Sequence, residues 1–338
     1  MSTRLVLLGA VLWAGAAPAS TPAEPRPEPL RIGIIGVDTS HAVAFTQILN
    51  DPKDPEHIEG ARVVHAVRGG SPDIPASADR IDGYARDLHD RLGVEMLESL
   101  PDLVSKVDAI LVLSVDGRTH LASARAVFGS GKPVFVNKPL AASYADGETM
   151  VRLAESTRTP LFSASATRFC EPVRASKSTS GLGKILGAEA YSPATIEPHH
   201  PDLFWYAVHS VEMLYSVLGR GCERVQRWHT PDVDLVVGQW KDGRIGTIRG
   251  IRGDFHEYGV QVFGTTGVQV GTCPTHPFSY RGLVEQILEF FRTKQAPVSP
   301  EETLETLRFM EAAEMSKLRG GEKVELSQVH AATPTPRD

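Results

Sequence analysis

The chain has 338 residues with a formal net charge of −6, 41% of them hydrophobic and 22% charged. That length accommodates two domains of ordinary size, and the composition is that of a globular chain with a sizeable core. The acidic excess leaves no basic footprint, which excludes nucleic acid as a main partner.

Arg4 precedes an apolar run from Leu5 to Ala17, and Ala17-Pro18-Ala19 is a small-x-small cleavage pattern. Residues 1–19 therefore read as a secretory signal peptide, too short for a lasting membrane span, and imply a periplasmic or secreted protein. Residues 20–29, rich in proline and glutamate, read as a flexible tether. Arg31 to Gly36 is a buried strand ending in glycine, after which Thr39 or Ser40 offers an oxygen to cap a helix over His41–Leu49. Ala61–Val67 and Asp108–Ser114 read as strands, and His120–Phe128 as a helix. Pro133–Val136 reads as a strand running into Asn137-Lys138-Pro139, where the proline restricts Lys138 and aims its ammonium. Strands alternating with helices at this spacing predict a Rossmann domain over 30–150, built on a doubly wound parallel sheet.

Beyond a helix over Tyr144–Glu155 the texture changes, from Pro160-Leu-Phe-Ser-Ala-Ser onward. The runs Ile185–Tyr191, Val233–Val237, Gly246–Ile251 and Tyr258–Val262 predict a second domain over 151–326 with one large, mostly antiparallel open sheet. Helices over Leu283–Thr293 and Pro300–Leu318 close it, and 327–338 is a tail. An open sheet face needs covering, so a homo-oligomer is expected. Cys170, Cys222 and Cys273 lack CxxC spacing, which excludes a zinc ribbon; one pair could close in an oxidising compartment. The adjacent His199 and His200 point opposite ways in an extended segment, so no metal site is expected there.

With these pieces placed, the chain resembles the Gfo/Idh/MocA family, the relatives of glucose-fructose oxidoreductase and inositol dehydrogenase, from Arg31 to about Leu326. Asn137-Lys138-Pro139 stands where that family carries a Glu-Lys-Pro turn, and His120 where it has a histidine opening the preceding helix. Thr167-Arg168-Phe169 with Pro172 is similar to its arginine segment, Tyr206-Ala-Val-His209-Ser-Val-Glu212 to its catalytic-histidine helix, and Pro297-Val298-Ser299 followed by Glu305–Ser316 to its closing segment. The resemblance implies a nicotinamide-dependent oxidoreductase acting on the CH–OH group of a sugar, polyol or related small molecule. His209 would be the acid/base, since imidazole titrates near neutrality. Lys138 would favour the alkoxide-like transition state through its charge, with Tyr206 as a nearby phenol.

The departures from the family pattern are as informative. The dinucleotide fingerprint wants three glycines; Gly36 fills the first place, but Asp38 takes the second and His41 the third. A carboxylate beside a pyrophosphate is repulsive, although Thr39 and Ser40 could donate hydrogen bonds at the positive helix end. The second strand ends in Arg68 followed by Gly69-Gly70-Ser71, which suits a 2′-phosphate and points to NADP over NAD if Arg68 is not merely solvated. Ser114, His120, Asn137 and Lys138 complete the expected cofactor contacts. Trp205 stands where the family often has an aspartate.

Arg168 is a candidate for substrate hydroxyls or a carboxylate, or else half of a structural salt bridge. His200 could face a sugar or lie on a plain exposed loop, and Trp205 could offer an apolar face to a sugar ring or pack in the core. Glu212 could orient the imidazole or fall on another face. Two further functions compete with the dehydrogenase. One is an exported carbohydrate-binding pseudo-oxidoreductase that has lost hydride transfer, favoured by Asp38 and by a leader whose Arg4 has no twin. The other is a redox-neutral glycosidase or lyase with a retained cofactor.

Overall fold

The computed structural model of the protein describes residues 28–176, 181–275 and 278–330. The expected signal peptide, most of the tether and the end of the tail lie outside the described residues. Among the described residues no helix is long and apolar enough to cross a membrane.

Six strands form the first sheet: β1 Leu30–Ile35, β2 Ala61–Val67, β3 Glu95–Leu97, β4 Ala109–Val112, β5 Val134–Val136 and β6 Leu161–Ser163. Their order is β3-β2-β1-β4-β5-β6 and every pairing is parallel. β4 and β5 are buried throughout, as the apolar runs demand of strands covered on both faces by helices. Strands are added outward in opposite senses from β1 and β4, and this switch point opens a crevice at their carboxyl ends. Thr39 caps the helix Ser40–Asn50 that starts there, its Oγ1 accepting the His41 N–H at 3.3 Å.

The second sheet has seven strands: β7 Ile185–Pro193, β8 Cys222–His229, β9 Val233–Trp240, β10 Ile245–Ile251, β11 Tyr258–Gly264, β12 Val268–Cys273 and β13 Val324–Glu325. Their order is β12-β11-β7-β10-β9-β8-β13, with only β7 and β10 parallel. Ala188, Ala190, Val236, Ile248 and Val262 turn one face into the core, where the helix Val208–Leu218 packs. The other face presents Trp228, Ile245, Phe263, Val268 and Val270, all exposed.

Two boundaries differ from the sequence reading. Leu161-Phe162-Ser163 pairs parallel with β5, so the first domain continues past residue 150 and the Pro160–Ser165 run does not open the second. Its residues are buried on both faces, which suits a strand of the parallel sheet. The helix Arg281–Thr293, expected to close the second domain, returns to the first instead: Phe290 meets Phe162 edge-on at 5.5 Å, and Phe162 meets Phe135 at 5.2 Å. Strands β3, β8, β12 and β13 were not anticipated. β8 carries charge at positions that alternate inward, and its Arg227 is wholly buried among carboxylates. Cys170 and Cys273 form a disulfide that ties the segment after β6 to β12, and Cys222 is free and buried.

Candidate active site

A cavity of about 390 Å³ opens where the carboxyl ends of β4 and β5 face the second sheet. Thr39, Ser40, Asn137 and Lys138 reach it from the first domain, and Trp205, Tyr206 and His209 from the second. Lys138 and His209, 71 positions apart (209 − 138), therefore face one space. The site is built locally by hydrogen bonds that hold each group in one protonation pattern.

Asn137 Oδ1 accepts the Lys138 N–H at 3.0 Å, which fixes the amide orientation. His41 Nδ1 lies 2.9 Å from the same oxygen and must donate to it, leaving the lone pair on Nε2. His209 is held in a similar way. Thr167 Oγ1 donates to the His209 carbonyl at 3.2 Å, so it accepts from Ser165 Oγ at 2.8 Å. The Ser165 proton is thereby used, and its oxygen accepts from His209 Nδ1 at 2.7 Å. His209 consequently carries its lone pair on Nε2, the form a general base requires. Burial, reinforced by Lys138, holds the His41 imidazole down to about 4 and that of His209 well below its ordinary range, so both are neutral near pH 7. Burial also pushes the Lys138 ammonium down to about 8. The Tyr206 ring lies 5.3 Å from both the Lys138 Nζ and the His209 ring. Tyr258 meets His209 edge-on at 5.4 Å, and Tyr280 meets His41 at 4.9 Å.

Ser165, His41, Tyr258 and Tyr280 went unassigned from sequence. Ser165 stands two residues before the Thr167-Arg168-Phe169 segment, and that proximity was the available signal.

Several expected contacts fall elsewhere. Arg168 is buried, donates to Glu212 and is ion-paired with Glu302 at 2.7 Å, so neither Arg168 nor Glu212 lines the cavity. His120 is a strut: its ring nitrogens face the carbonyls of Ser114 at 2.8 Å and Pro139 at 3.0 Å, joining the end of β4 to the lysine turn. His200 lies behind Trp205, ring centroids 4.8 Å apart, with Nε2 3.0 Å from the Asp116 carboxylate. Arg68 pairs with Asp82 over a separate surface groove containing Arg86 and His89, which removes the reason for preferring a 2′-phosphate.

Side chains pack against the first βα turn. A dinucleotide in a Rossmann fold lays its pyrophosphate across that turn. Here Asp38, with no exposed surface, accepts the Val115 N–H at 3.2 Å and the Ser77 hydroxyl at 2.7 Å, bridging the turns after β1 and β4. Ser71 donates to Asp116 at 2.6 Å, and its N–H donates to Ser77 at 2.8 Å, fastening the segment 71–77 over the turn. Gly36, at φ +86°, lies beneath: a β-carbon there would stand 2.1 Å from Ser114 Oγ, and one on Gly69 would stand 3.0 Å from the Gly36 Cα. Two carboxylates and the packed segment 71–77 thus lie against this turn, while the start of the helix stays open to the cavity through Thr39, Ser40 and His41. The neighbouring cavity is open to a ring-sized group.

A doubly wound parallel sheet joined to a large mostly antiparallel sheet, with a lysine and a histidine facing a cavity at the junction, defines a two-domain protein built on a Rossmann fold. Residues 30–165 match the GFO_IDH_MocA model, described as oxidoreductase family, NAD-binding Rossmann fold. The myo-inositol 2-dehydrogenase of Thermotoga maritima is 26% identical over 219 residues, covering 57% of this chain; the match spans 65% of that relative's length. A probable dehydrogenase from Thermotoga maritima shares the fold at a TM-score of 0.71 with 22% identity, covering 89% of this chain and 100% of the other. So does scyllo-inositol dehydrogenase from Lactobacillus casei with bound NAD(H) and scyllo-inositol, at a TM-score of 0.70 and 16% identity over 89% of this chain and 100% of the other.

Proposed function

We propose that the protein is an exported oxidoreductase acting on the CH–OH group of a sugar, polyol or related small molecule. The observation that carries this reading is the convergence of Lys138 and His209 on one cavity. His209 Nε2 takes the proton of the reacting hydroxyl, Lys138 stabilises the oxyanion that forms, and the Tyr206 phenol helps orient it. Trp205 offers its ring to the apolar face of the substrate. The match of residues 30–165 to an NAD-binding Rossmann model supports NAD or NADP as the hydride acceptor. The Cys170–Cys273 disulfide supports an oxidising compartment, in line with the leader sequence. The exposed apolar face of the second sheet supports a homo-oligomer in which a second copy covers Ile245, Phe263, Val268 and Val270.

Asp38 favours a second reading, a carbohydrate-binding protein that keeps the fold without hydride transfer. Release of nucleotide separates the two. The mature protein is denatured, the supernatant is examined by ultraviolet absorption for nicotinamide nucleotide, and the native protein is titrated with NADPH and NADH by fluorescence. Released nucleotide or a saturable titration is expected for the oxidoreductase; neither would leave the binding protein.

The protonation pattern predicts a pH profile. The reaction needs Lys138 charged and His209 neutral, so kcat/KM should fall to about half its neutral-pH value near pH 8, where the ammonium loses its proton, and continue to fall above it. A rate still climbing at pH 9.5 would remove Lys138 from this role.

A further inference from the structure

The charge lining the cavity is one-sided. Lys138 and Arg80 both face it, and among the described residues neither has a carboxylate within ion-pair distance. The Arg80 guanidinium spends only its Nε, on the Ala76 carbonyl at 2.5 Å, and lies 5.9 Å from the centre of the Tyr84 ring. No aspartate or glutamate is among the residues lining the cavity. The nearby carboxylates are occupied elsewhere: Asp38 by Ser77 and Val115, Asp116 by Arg118, Ser71 and His200, and Asp254, outside the cavity lining, by the exposed His256 at 2.9 Å. Three imidazoles line the space, those of His41, His209 and His256, and an imidazole supplies no negative charge in either protonation state.

Taking an ammonium out of water without a counter-ion is unfavourable, and a site that does so is complementary to an anion. A guanidinium with free Nη donors is shaped for a carboxylate held by two parallel hydrogen bonds. The hydroxyl, imidazole and phenol groups around it suit a polyhydroxylated body. At about 390 Å³ the cavity lies near the lower end of the usual size range for ligand pockets and suits a molecule of hexose size.

We propose that the substrate is a sugar acid, a polyhydroxycarboxylate of about hexose size, whose carboxylate is anchored by Arg80 while its reacting hydroxyl lies between Lys138 and His209. This rests on the cavity being the substrate site of the proposed oxidoreductase and narrows the substrate from neutral polyols to their carboxylates.

Calorimetric titration of the mature full chain at pH 7 tests it without turnover, using D-gluconate and D-glucuronate against their neutral counterparts D-glucitol and D-glucose. The acids are expected to bind at least tenfold more tightly than the neutral compounds, and more weakly as salt rises. Arg80→Met should weaken acid binding about tenfold or more and leave neutral compounds unaffected, while Arg80→Lys, a point charge without the fork, should restore part of it. A thermal melt of each variant separates lost binding from lost fold. Neutral compounds binding as well as the acids would overturn the proposal and leave the CH–OH reading standing. Binding of neither class would overturn both. Acid binding that survives Arg80→Met unchanged in a folded variant would overturn the anchor assigned here.

Discussion

Lys138→Ala is expected to lower kcat/KM by about 10²–10³, the usual consequence of deleting a charged donor aimed at a developing oxyanion, while the melting temperature does not fall. The second half of that expectation is the more diagnostic. The Lys138 ammonium makes no ion pair or hydrogen bond among the described residues, and burial disfavours its charged form. Removing it therefore takes from the fold only its contact with the Tyr206 ring and relieves a desolvation penalty. The backbone of the turn stays in place because Asn137 Oδ1 accepts the Lys138 N–H, a bond the substitution leaves intact. Steady-state kinetics beside a thermal melt reads both quantities. Full activity in the variant would show that the lysine is a bystander, and a large drop in melting temperature would show it to be structural.

Arg227→Met should cost about 3–5 kcal/mol of stability, as expected when one partner of a buried charge network is removed. The Arg227 side chain is wholly buried and donates to Asp234 at 2.8 Å, to Glu314 at 2.7 Å and to Asp202 at 2.8 Å. Lys317 also pairs with Asp202 and Arg252 with Asp234, but Glu314 would lose its only ion-pair partner among the described residues. Burial already raises the Glu314 carboxyl above its ordinary range, so protonation is its route to relief. The network joins β8 to β9, to the helix Pro300–Leu318 and to Asp202, which opens the short helix Asp202–Trp205 before Tyr206 and His209. Loss of stability should therefore be accompanied by a weaker site. Urea unfolding measures it; a loss under about 1 kcal/mol would mean that Lys317 and Arg252 suffice without Arg227.

Much of the architecture follows from short-range pattern. RIGIIG, ARVVHAV and the strand before Asn137 are apolar and β-branched, and such runs between helices specify a parallel sheet wherever they occur. The helix Pro300–Leu318 has its boundaries written locally, with Ser299 as the cap and Pro300 at the first position. The strand Cys222–His229 was illegible because its buried arginine looks, in sequence, like a residue for solvent; only the carboxylates of Asp234 on the adjacent strand and of Asp202 and Glu314 from distant segments make its burial favourable.

The same division runs through the site. From sequence, Lys138 and His209 were the chemical candidates through the family resemblance, the one in a turn before proline at a strand end and the other in a helix similar to the catalytic-histidine helix. Tertiary structure alone decided the partners of the remaining polar groups. Arg168 reads identically whether it meets a substrate or Glu212, 44 positions away. Asp38 could have capped its own helix; instead it bridges to Val115, 77 positions on, and to Ser77, and ties the turns after β1 and β4 together. Hydrogen bonds and ion pairs act over about 3 Å, and which groups come that close is settled by the packing of whole elements and not by the residues beside them in the chain.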